Sequence, residues 1–366
     1  MLYIIGGLVA IVVIGGLIFV NTSKQFGQRP EGEDLNRISN SPLFKDNKFE
    51  NPIETTTANF RAALRALPRF LSLKNGSPEK ELPVKFGEDD RPQVDSSCFV
   101  TWYGHSAFLI EIEGKRILID PMLGEIASPL PIGSKRFKYE RPILIDEIDN
   151  IDIMIISHDH YDHLDYESIL TLKDRVQSFV TPLGVGSHLK SWGVDADKIS
   201  ELDWWDEKSL FGIRLVAAPA RHFSGRGITD NNATLWASWI IEAESNKLYF
   251  SGDGGYGPHF KEIGEKEGPF DLAMMECGQY DSAWANIHMM PEETALASTD
   301  VEAKVAMPIH WGAFLLGIHP WTDPIERFTA ESKRLGQNII HPMIGQRFKV
   351  GEDFPRPLWW ELEANE

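Results

Sequence analysis

A cluster of metal-ligating residue types directly follows an apolar run and constrains the chain more than any other feature. The segment ISHDHYDHLD, Ile156–Asp165, comes after the run IDIMI and holds three histidines and three aspartates in ten positions. Side chains alternate along an extended segment, so His158 and His160 point the same way and can bind one ion. Asp162 and His163 follow at a turn and can face a second ion. The spacing therefore predicts two metal ions held close together.

The ligand types in this segment indicate which metals it binds. Imidazole nitrogens and carboxylate oxygens without thiolate suit zinc best, with iron and manganese as the alternatives. The two cysteines, Cys98 and Cys277, lie far apart and outside any CxxC pattern, so they predict neither a thiolate site nor a disulfide framework. Five ligand-type residues in the six positions 158–163, placed after an apolar strand, are far more specific than a single HxH pair.

Short β-rich runs dominate the chain from Cys98 onward, with helical stretches and loops between them. The runs are CFVTWYG, AFLIEI, RILID, IDIMIIS, FVTP, IRLVAAPA, ASWIIEA, KLYFSGD, LAMMECG and VAMPIH. Many short strands with intervening helices predict an α/β protein with stacked sheets. Four runs end at candidate ligands, namely His158, His222, Asp253 and His310. Rigid elements that carry functional groups on their end loops are a common way to build a site.

Composition limits the classes of function. The chain has 366 residues, 42% of them hydrophobic and 25% charged, which is typical of a globular protein with one large domain or two ordinary ones. Its net charge of -18 argues against a nucleic-acid-binding groove, because phosphate contacts need clustered Lys and Arg. A nucleic-acid partner is therefore not expected.

The N-terminus departs from this globular pattern. Leu2–Val20 is a run of nineteen residues without a charge, about 28 Å long as a helix, which is enough to span a bilayer. A secretory signal peptide is the alternative, but the run has no basic region before it, exceeds the usual apolar length of roughly 7–15 residues and lacks an A-x-A-like cleavage site. We therefore expect an uncleaved single-pass anchor. Lys24, Arg29 and Arg37 follow the span, which predicts that the body of the chain lies on the cytoplasmic side.

One amphipathic helix is expected in the polar, proline-punctuated stretch that follows, within TANFRAALRALPRFLSL. Apolar residues recur there at helical spacing and arginines recur every four residues: Phe60, Leu64, Leu67 and Leu71, and Arg61, Arg65 and Arg69. A basic amphipathic helix near an anchor can lie on anionic lipid, and packing onto the main domain is the alternative. Pro68 is expected to end or kink the helix.

The motifs resemble those of a known family. HDHYDH matches the HxHxDH signature of the metallo-β-lactamase superfamily, and the chain is most similar to its N-acylphosphatidylethanolamine-hydrolysing phospholipase D family. The resemblance is carried by TWYGHSAFLIEIEGKRILIDPML, ISHDHYDHLD, PARHFSGR, TLWASWII, YFSGDGGYGPHFKEIGEKEGPFDLAMMECGQYD, NIHMMPEE and IHWGAF, across roughly residues 40 to 345. It implies a four-layer αββα sandwich of two mixed sheets between helices, with the metals at one sheet edge. The resemblance leaves out the transmembrane helix, which is expected from the apolar run and precedes this domain.

The resemblance also implies roles for individual residues. It assigns His158, His160 and His222 to a first zinc ion and Asp162, His163 and His310 to a second, with Asp253 bridging both. It implies catalytic roles for Asp253 and Asp162, and for His288 beside the substrate phosphate, although a loop histidine is as often a surface residue. Asp120 would orient ligand histidines, with a strand-end turn before Pro121 as the alternative. His105, His188, His259, His319 and His341 match no ligand motif, although His105 lies in the family's GH segment.

The implied function is a membrane-anchored dinuclear zinc hydrolase that cleaves a lipid phosphodiester, with a phospholipid as substrate and the membrane as partner. Three parts of the chain are expected: an anchor over 1–22, a linker and amphipathic helical segment wrapping the core over 23–97, and the hydrolase domain over 98–366. The oligomeric state stays open, with a homodimer among the alternatives.

Two other functions compete with this one. A lactonase resembling the ascorbate-phosphate lactonases would share the GH opening and the metal site. A non-hydrolytic metal protein, such as an oxygen-reducing di-iron relative or a sensor, is the other alternative. Those di-iron relatives resemble HxExDH, with Glu where this chain has Asp159, and they carry a flavin domain that has no counterpart here.

Overall fold

A computed structural model gives the fold of the chain and describes residues 14–16, 18–20, 22–57, 60–89, 91 and 97–361. Across these residues, no helix combines the length and the apolar character that crossing a bilayer requires. Most of the expected anchor, Leu2–Val20, lies outside the described residues.

The described secondary structure includes fifteen strands and seven α-helices, besides four short 3-10 helices. The strands are β1 Phe44–Lys45, β2 Lys48–Phe49, β3 Cys98–Trp102, β4 Phe108–Ile112, β5 Lys115–Ile119, β6 Ile151–Ile155, β7 Val176–Pro182, β8 Ile199–Leu202, β9 Glu207–Leu210, β10 Ile213–Ala218, β11 Ser238–Glu242, β12 Lys247–Phe250, β13 Leu272–Glu276, β14 Ala306–Ile309 and β15 Arg347–Lys349. The helices are α1 Gly32–Ile38, α2 Phe60–Leu71, α3 Tyr166–Leu172, α4 Gly186–Ser191, α5 His259–Glu267, α6 Pro291–Asp300 and α7 Asp323–Leu335.

Two mixed sheets form the body of the fold. The first has the strand order β15-β3-β4-β5-β6-β7-β8 and the second the order β14-β13-β12-β11-β10-β9. In the first sheet the pairs from β5 to β8 are parallel, and in the second the pairs from β12 to β14 are parallel. Parallel neighbours end at the same sheet edge, so the loops after β5 and β6, and those after β12, β13 and β14, emerge together.

The sheets pack face to face because their strands bury both faces. In β4, Phe108, Ile110 and Ile112 enter the core between the sheets, whereas Leu109 points to the opposite face. On that outer face α3 contributes Ile169 to a second apolar cluster. The predicted two mixed sheets between helices are thus present.

The second sheet is covered on its outer face in the same way. Phe260 and Ile263 of α5 and Ala297 of α6 pack against Val216 of β10 and Tyr249 of β12. This completes four layers in the order helix, sheet, sheet, helix.

The amphipathic helix is present as α2, and of the two alternatives for Pro68 the helix end is wrong. It continues through Pro68 to Leu71. Pro68 lies close to the C-terminal end of the helix, so its missing N–H removes one hydrogen bond near the last turn and leaves the earlier turns intact. Arg69 pairs with the Asp281 carboxylate at 2.7 and 2.9 Å and fastens the end of the helix to the main domain.

Candidate metal centre

Asp120 connects the end of β5 to the histidine-rich loop after β6. Its fully buried carboxylate accepts hydrogen bonds from the backbone N–H of Ser157 at 2.7 Å and from the Ser157 hydroxyl at 2.5 Å. The same carboxylate lies 2.7 Å from His163 Nδ1. A carboxylate that accepts a hydrogen bond from Nδ1–H leaves the lone pair of Nε2 free for a metal ion. The structure thus places Asp120 where the sequence indicated, in contact with a candidate ligand.

A first group of imidazoles forms at the start of this loop. His158 Nε2 lies 2.9 Å from His160 Nδ1, and His222 Nε2 lies 3.3 Å from the same nitrogen. Two ligand atoms on one tetrahedral zinc ion are about 3.4 Å apart, given bonds of about 2.0–2.1 Å. His222 Nδ1 faces the Ile287 carbonyl oxygen at 3.0 Å, which directs Nε2 into the group. The three nitrogens therefore converge as the ligands of one ion would.

A second group lies beside the first and shares one carboxylate with it. Asp162 Oδ2 is 3.3 Å from His310 Nε2 and 3.6 Å from His163 Nε2. Asp253 Oδ2 is 3.1 Å from each of the same two nitrogens. It also lies 4.0 Å from His158 Nε2 and 3.9 Å from His222 Nε2. Asp253 thus stands between the two groups, as a bridging ligand would.

Two buried polar atoms in this cluster test whether it fits metal ions. His163 Nε2 and Asp253 Oδ1 are both buried, and neither has a hydrogen-bond partner within the described part of the chain. His163 Nε2 is near Asp253 Oδ2 in distance, but the contact lacks hydrogen-bond geometry. Burying such atoms without a partner is costly, and a metal ion would satisfy both. The residues therefore fit a metal centre.

The pKa shifts of the cluster reflect burial and the pairing of acids with imidazoles. Burial lowers the pKa of His158 well below its ordinary value, and the neighbouring His163, His160 and His222 lower it further. Burial alone would raise the pKa of Asp253, but attraction to His163 and His310 outweighs it and holds that pKa well below its usual range. Burial opposes the charged form of these two imidazoles as well, but attraction to Asp253 outweighs it and raises the pKa of His163 well above its ordinary value and that of His310 to about 10. A metal ion would displace their protons on binding, because neutral imidazole and ionised carboxylate are the forms that bind metals.

His105 is a member of the cluster that its sequence pattern did not identify. Its Nε2 lies 2.9 Å from Asp162 Oδ2, and its ring is fully buried. Burial lowers the pKa of His105 to about 3, so the ring is neutral. Its backbone pairs with both His310 and Trp311, which joins the turn after β3 to the loop after β14. His105, Asp120 and His310 all have positive φ, a conformation that non-glycine residues adopt only where the fold holds them in it.

Glu276 at the end of β13 is the second residue that sequence reasoning missed. It is fully buried, with Oε1 3.3 Å from His288 Nδ1 and 3.4 Å from His310 Nδ1. Its Oε2 accepts a hydrogen bond from the Met289 backbone N–H at 3.0 Å. The only signal in the sequence was a carboxylate that ends an apolar strand. Glu276 can therefore orient one candidate ligand and His288 together.

The cluster opens into a pocket of about 270 Å³. Its lining combines ligand-type side chains, apolar side chains and one amide: His160, Asp162, Asp253, His288 and His310; Phe223, Trp284, Ile287 and Leu316; and Gln279. A larger cavity of about 650 Å³ borders β3 and β4 but contains none of the clustered histidines. We therefore identify the smaller pocket as the candidate site because of its ligand-type side chains and not because of its volume. His188, His259, His319 and His341 lie outside the groups that could hold a metal ion.

Arg226 supports the loop after β6 that carries the candidate ligands, here called the metal-binding loop. Its Nη1 donates to the carbonyl oxygens of Asp159 at 2.6 Å and Leu164 at 2.8 Å, which fixes both ends of the loop. Its Nη2 donates to the Gln25 carbonyl at 2.8 Å, so the N-terminal segment is held against the same support. The Asp159 side chain contacts His188 Nε2 at 3.2 Å and accepts from the Thr234 hydroxyl at 2.9 Å.

Comparison with known proteins identifies the family. Residues 115–311 match the model of the β-lactamase superfamily domain. The chain belongs to the metallo-β-lactamase superfamily. Within the superfamily, an N-acyl-phosphatidylethanolamine-hydrolysing phospholipase D of Caenorhabditis elegans is 33% identical over 299 residues, which cover 75% of this chain and 83% of that protein. The resemblance inferred from the motifs is therefore confirmed.

Further relatives match most of the chain. An uncharacterised protein of Mycobacterium tuberculosis is 37% identical over 329 residues, which cover 88% of each chain. The solved structure of Igni18, a metallo hydrolase from the archaeon Ignicoccus hospitalis, superposes with a TM-score of 0.54 at 19% identity and covers 70% of this chain and 100% of that one. The family and the clustered His and Asp side chains together make this chain a metal-dependent hydrolase. The division of seven ligands between two ions stays a prediction.

Proposed function

We propose that the chain is a phospholipase D that hydrolyses the phosphodiester of N-acylphosphatidylethanolamine and releases a phosphatidic acid and an N-acylated ethanolamine. The observation that carries this proposal is the 33% identity to the C. elegans enzyme of that name, across 83% of its length. The clustered ligands support it, since dinuclear sites suit phosphoryl transfer.

We assign two zinc ions to the centre, one held by His158, His160 and His222 and the other by Asp162, His163 and His310. Asp253 is shared between them because its Oδ2 lies within 4.0 Å of a nitrogen from both groups. When bound, such ions supply Lewis acidity that polarises a phosphoryl oxygen and lowers the pKa of water to about 7.

The reaction itself is the attack of water on phosphorus, with rupture of the bond between phosphorus and the ethanolamine oxygen. Asp253 Oδ1 has no hydrogen-bond partner among the described residues, so it can hold the proton that the attacking water releases. Asp162, which faces the same pocket, shares this role. The proton ends on the departing ethanolamine oxygen.

His288 positions the phosphate group. It lines the pocket, and the contact between its Nδ1 and Glu276 leaves Nε2 available for a phosphate oxygen. The pocket holds only about 270 Å³, which is too small for a whole diacyl phospholipid. The phosphodiester therefore enters the pocket, while the two glycerol-linked acyl chains and the acyl chain on the ethanolamine nitrogen remain outside it.

The membrane would supply this substrate. We propose that Leu2–Val20 anchors the chain, because this run is long and uncharged. The segment that follows is docked beside the metal-binding loop: the Trp192 indole N–H donates to the Lys24 carbonyl at 2.6 Å. Deleting residues 1–22 should release active enzyme from membranes, and a truncated form that stays membrane-bound would show that another element, such as α2, is the anchor.

A hydrolysis panel tests the proposed reaction. Detergent-solubilised, zinc-loaded protein should cleave N-acylphosphatidylethanolamine, and His158→Ala should abolish the activity. His341→Ala is the matched control, because His341 is also a buried imidazole but lies outside the cluster. Turnover of lactones without phosphodiester cleavage, lost on His158→Ala, would reassign the chain as a lactonase.

A further inference from the structure

A second pocket, of about 220 Å³, lies beside the segment that carries His222 and contains none of the clustered metal-ligating side chains. Its walls come from four parts of the chain: Asn51–Ile53, Trp204 and Trp205, Pro219–Arg221, and Pro258, His259 and Glu262. The Asn51 side-chain N–H donates to the His222 carbonyl at 2.8 Å, so the pocket wall touches the backbone of a candidate ligand.

Flat apolar surfaces dominate this pocket. Trp204 and Trp205 form one side, and Pro52, Pro219 and Pro258 add rigid rings. Trp205 has φ +70°, a conformation that a bulky residue adopts only when its surroundings hold it there. Its backbone N–H donates to the Ala217 carbonyl at 2.6 Å, and the Lys266 ammonium lies 4.0 Å from the centre of its ring. Such surfaces stack well against another ring.

Arg221 supplies a positive charge that the Glu293 carboxylate attracts but does not pair with at ion-pair distance. Its three hydrogen bonds go to uncharged acceptors, namely the Thr55 hydroxyl at 3.1 Å, the Tyr256 carbonyl at 2.9 Å and the Glu54 carbonyl at 2.6 Å. Among the described residues no ion pair involves this guanidinium, whose hydrogen bonds are the three just named. A guanidinium has five N–H donors, so two remain for an anionic ligand.

His259 lines the same pocket, and only 9% of the residue is exposed. Its ring nitrogens are not among the fully buried atoms that lack a partner, and no hydrogen bond joins them to another described residue, so they remain accessible to solvent. Burial, and secondly the charge of Arg221, lower the pKa of His259 to about 3, so the ring is neutral and offers one donor and one acceptor. An accessible ring nitrogen that no protein group satisfies can form a hydrogen bond with a ligand in the pocket.

We propose that this pocket binds a small aromatic carboxylate, with its ring against Trp204 and Trp205 and its carboxylate on Arg221 and His259. The pocket volume of about 220 Å³ suits a ligand with one fused ring system and excludes a larger ligand. The Glu262 carboxylate at the same wall disfavours a ligand with a second negative charge. The site is distinct from the metal-dependent hydrolase centre and does not depend on which substrate that centre cleaves.

Isothermal titration of the full chain in detergent with indole-3-acetate tests the proposal. Tryptamine carries the same ring with the opposite charge, and octanoate carries the same charge on a linear chain. Indole-3-acetate should bind with a Kd on the order of 0.1–1 mM, as its size allows, and at least about tenfold more tightly than either comparison compound. Equal binding of tryptamine would exclude recognition of charge, and equal binding of octanoate would exclude recognition of the ring.

Three variants locate the binding. Arg221→Gln should weaken indole-3-acetate about tenfold or more, because it removes the charge-assisted hydrogen bonds. His259→Phe keeps a ring at this position, removes both nitrogens and should also weaken binding. Phe354→Ala removes an exposed aromatic side chain outside the pocket and should change nothing. Thermal melting checks that each variant is folded. Absence of binding at several millimolar, or unchanged binding in folded Arg221→Gln and His259→Phe proteins, would overturn the proposal.

Discussion

Replacing Asp120 by asparagine should weaken metal binding although the side chain keeps its shape. Asp120 accepts from Ser157 N–H, from the Ser157 hydroxyl and from His163 Nδ1, at 2.5–2.7 Å. An amide can keep its oxygen on the Ser157 N–H, but its NH2 group then faces His163 Nδ1. The imidazole must accept at Nδ1 and carry its proton on Nε2, the atom that faces Asp253 at 3.1 Å. His163 can then no longer act as a ligand through Nε2.

The expected loss follows from this change of tautomer. Removing an orienting partner of a ligand histidine typically costs about 10–100-fold in metal affinity, which corresponds to about 1.4–2.7 kcal/mol. The metal-free protein should also lose about 1–3 kcal/mol of unfolding free energy, because Asp120 is fully buried. Competition with a chromophoric zinc chelator measures the first quantity, and urea unfolding of the metal-free protein measures the second.

Asp152→Asn is the matched control. Asp152 is another buried carboxylate, in β6, and it accepts from Arg116 N–H at 2.9 Å and from the Gln177 amide at 3.1 Å, away from the cluster. This variant should lose stability and keep its zinc affinity. If the zinc affinity of Asp120→Asn stays within about twofold of the parent, Asp120 does not set the His163 tautomer, and the reasoning is refuted.

Three further predictions concern the metal centre, the core and the acid range. The parent should hold about two zinc ions per chain; Asp253→Ala should lower the zinc content at both positions, whereas His222→Ala should remove mainly one ion. Elemental analysis measures the zinc content, and equal, negligible losses in both variants would show that the ligands are misassigned. Phe250 lies in the core between the sheets, so Phe250→Ala should lower the free energy of unfolding in urea by about 3–5 kcal/mol. Phe211 is partly exposed, and Phe211→Ala should lower it by about 0.5 kcal/mol or less. Similar losses in the two variants would contradict the packing described. The hydrogen bond from Arg214 is the main cause that holds the pKa of Glu267 below its ordinary value. The ionised Glu267 side chain therefore stabilises the fold at pH values above its unfolded pKa. This stabilisation disappears as the pH falls through the folded pKa. Glu267→Gln should therefore have a lower Tm than the parent at pH 7, with the two values converging below about pH 4, and a constant difference down to pH 3 would disagree.

The strands of the body could be predicted because both of their faces are buried. Runs such as CFVTW and IDIMI become β3 and β6 with every residue buried, so their apolar character is continuous in the sequence. The short edge strands carry no such signal: β9 is the mostly exposed EKSL, and β15 is RFK with only its phenylalanine buried. Their place in the sheets depends on pairing with distant strands, which local sequence does not encode.

The seven candidate ligands could be predicted because four of them lie in one ten-residue segment and the other three follow soon after a strand. The contacts that support these ligands could not be predicted from the sequence. His105 reaches Asp162 across 57 positions in the sequence, and Arg226 reaches Gln25 across 201. Glu276 looks like the polar end of an apolar strand until the fold brings His288 and His310 to its carboxylate. Contacts of this range arise only when two sheets bring their loops to a common edge.

Hydrolysis in ¹⁸O-labelled water tests the central claim most directly, since the proposed reaction puts the water oxygen on phosphorus. Zinc-loaded protein would be incubated with N-acylphosphatidylethanolamine in labelled water, with chelator-treated protein as the control, and the products analysed by ³¹P NMR and mass spectrometry. A metal-dependent phospholipase D predicts one labelled oxygen in the phosphatidic acid and none in the N-acylethanolamine. Label in the N-acylethanolamine, or no metal-dependent release of phosphatidic acid, would contradict it.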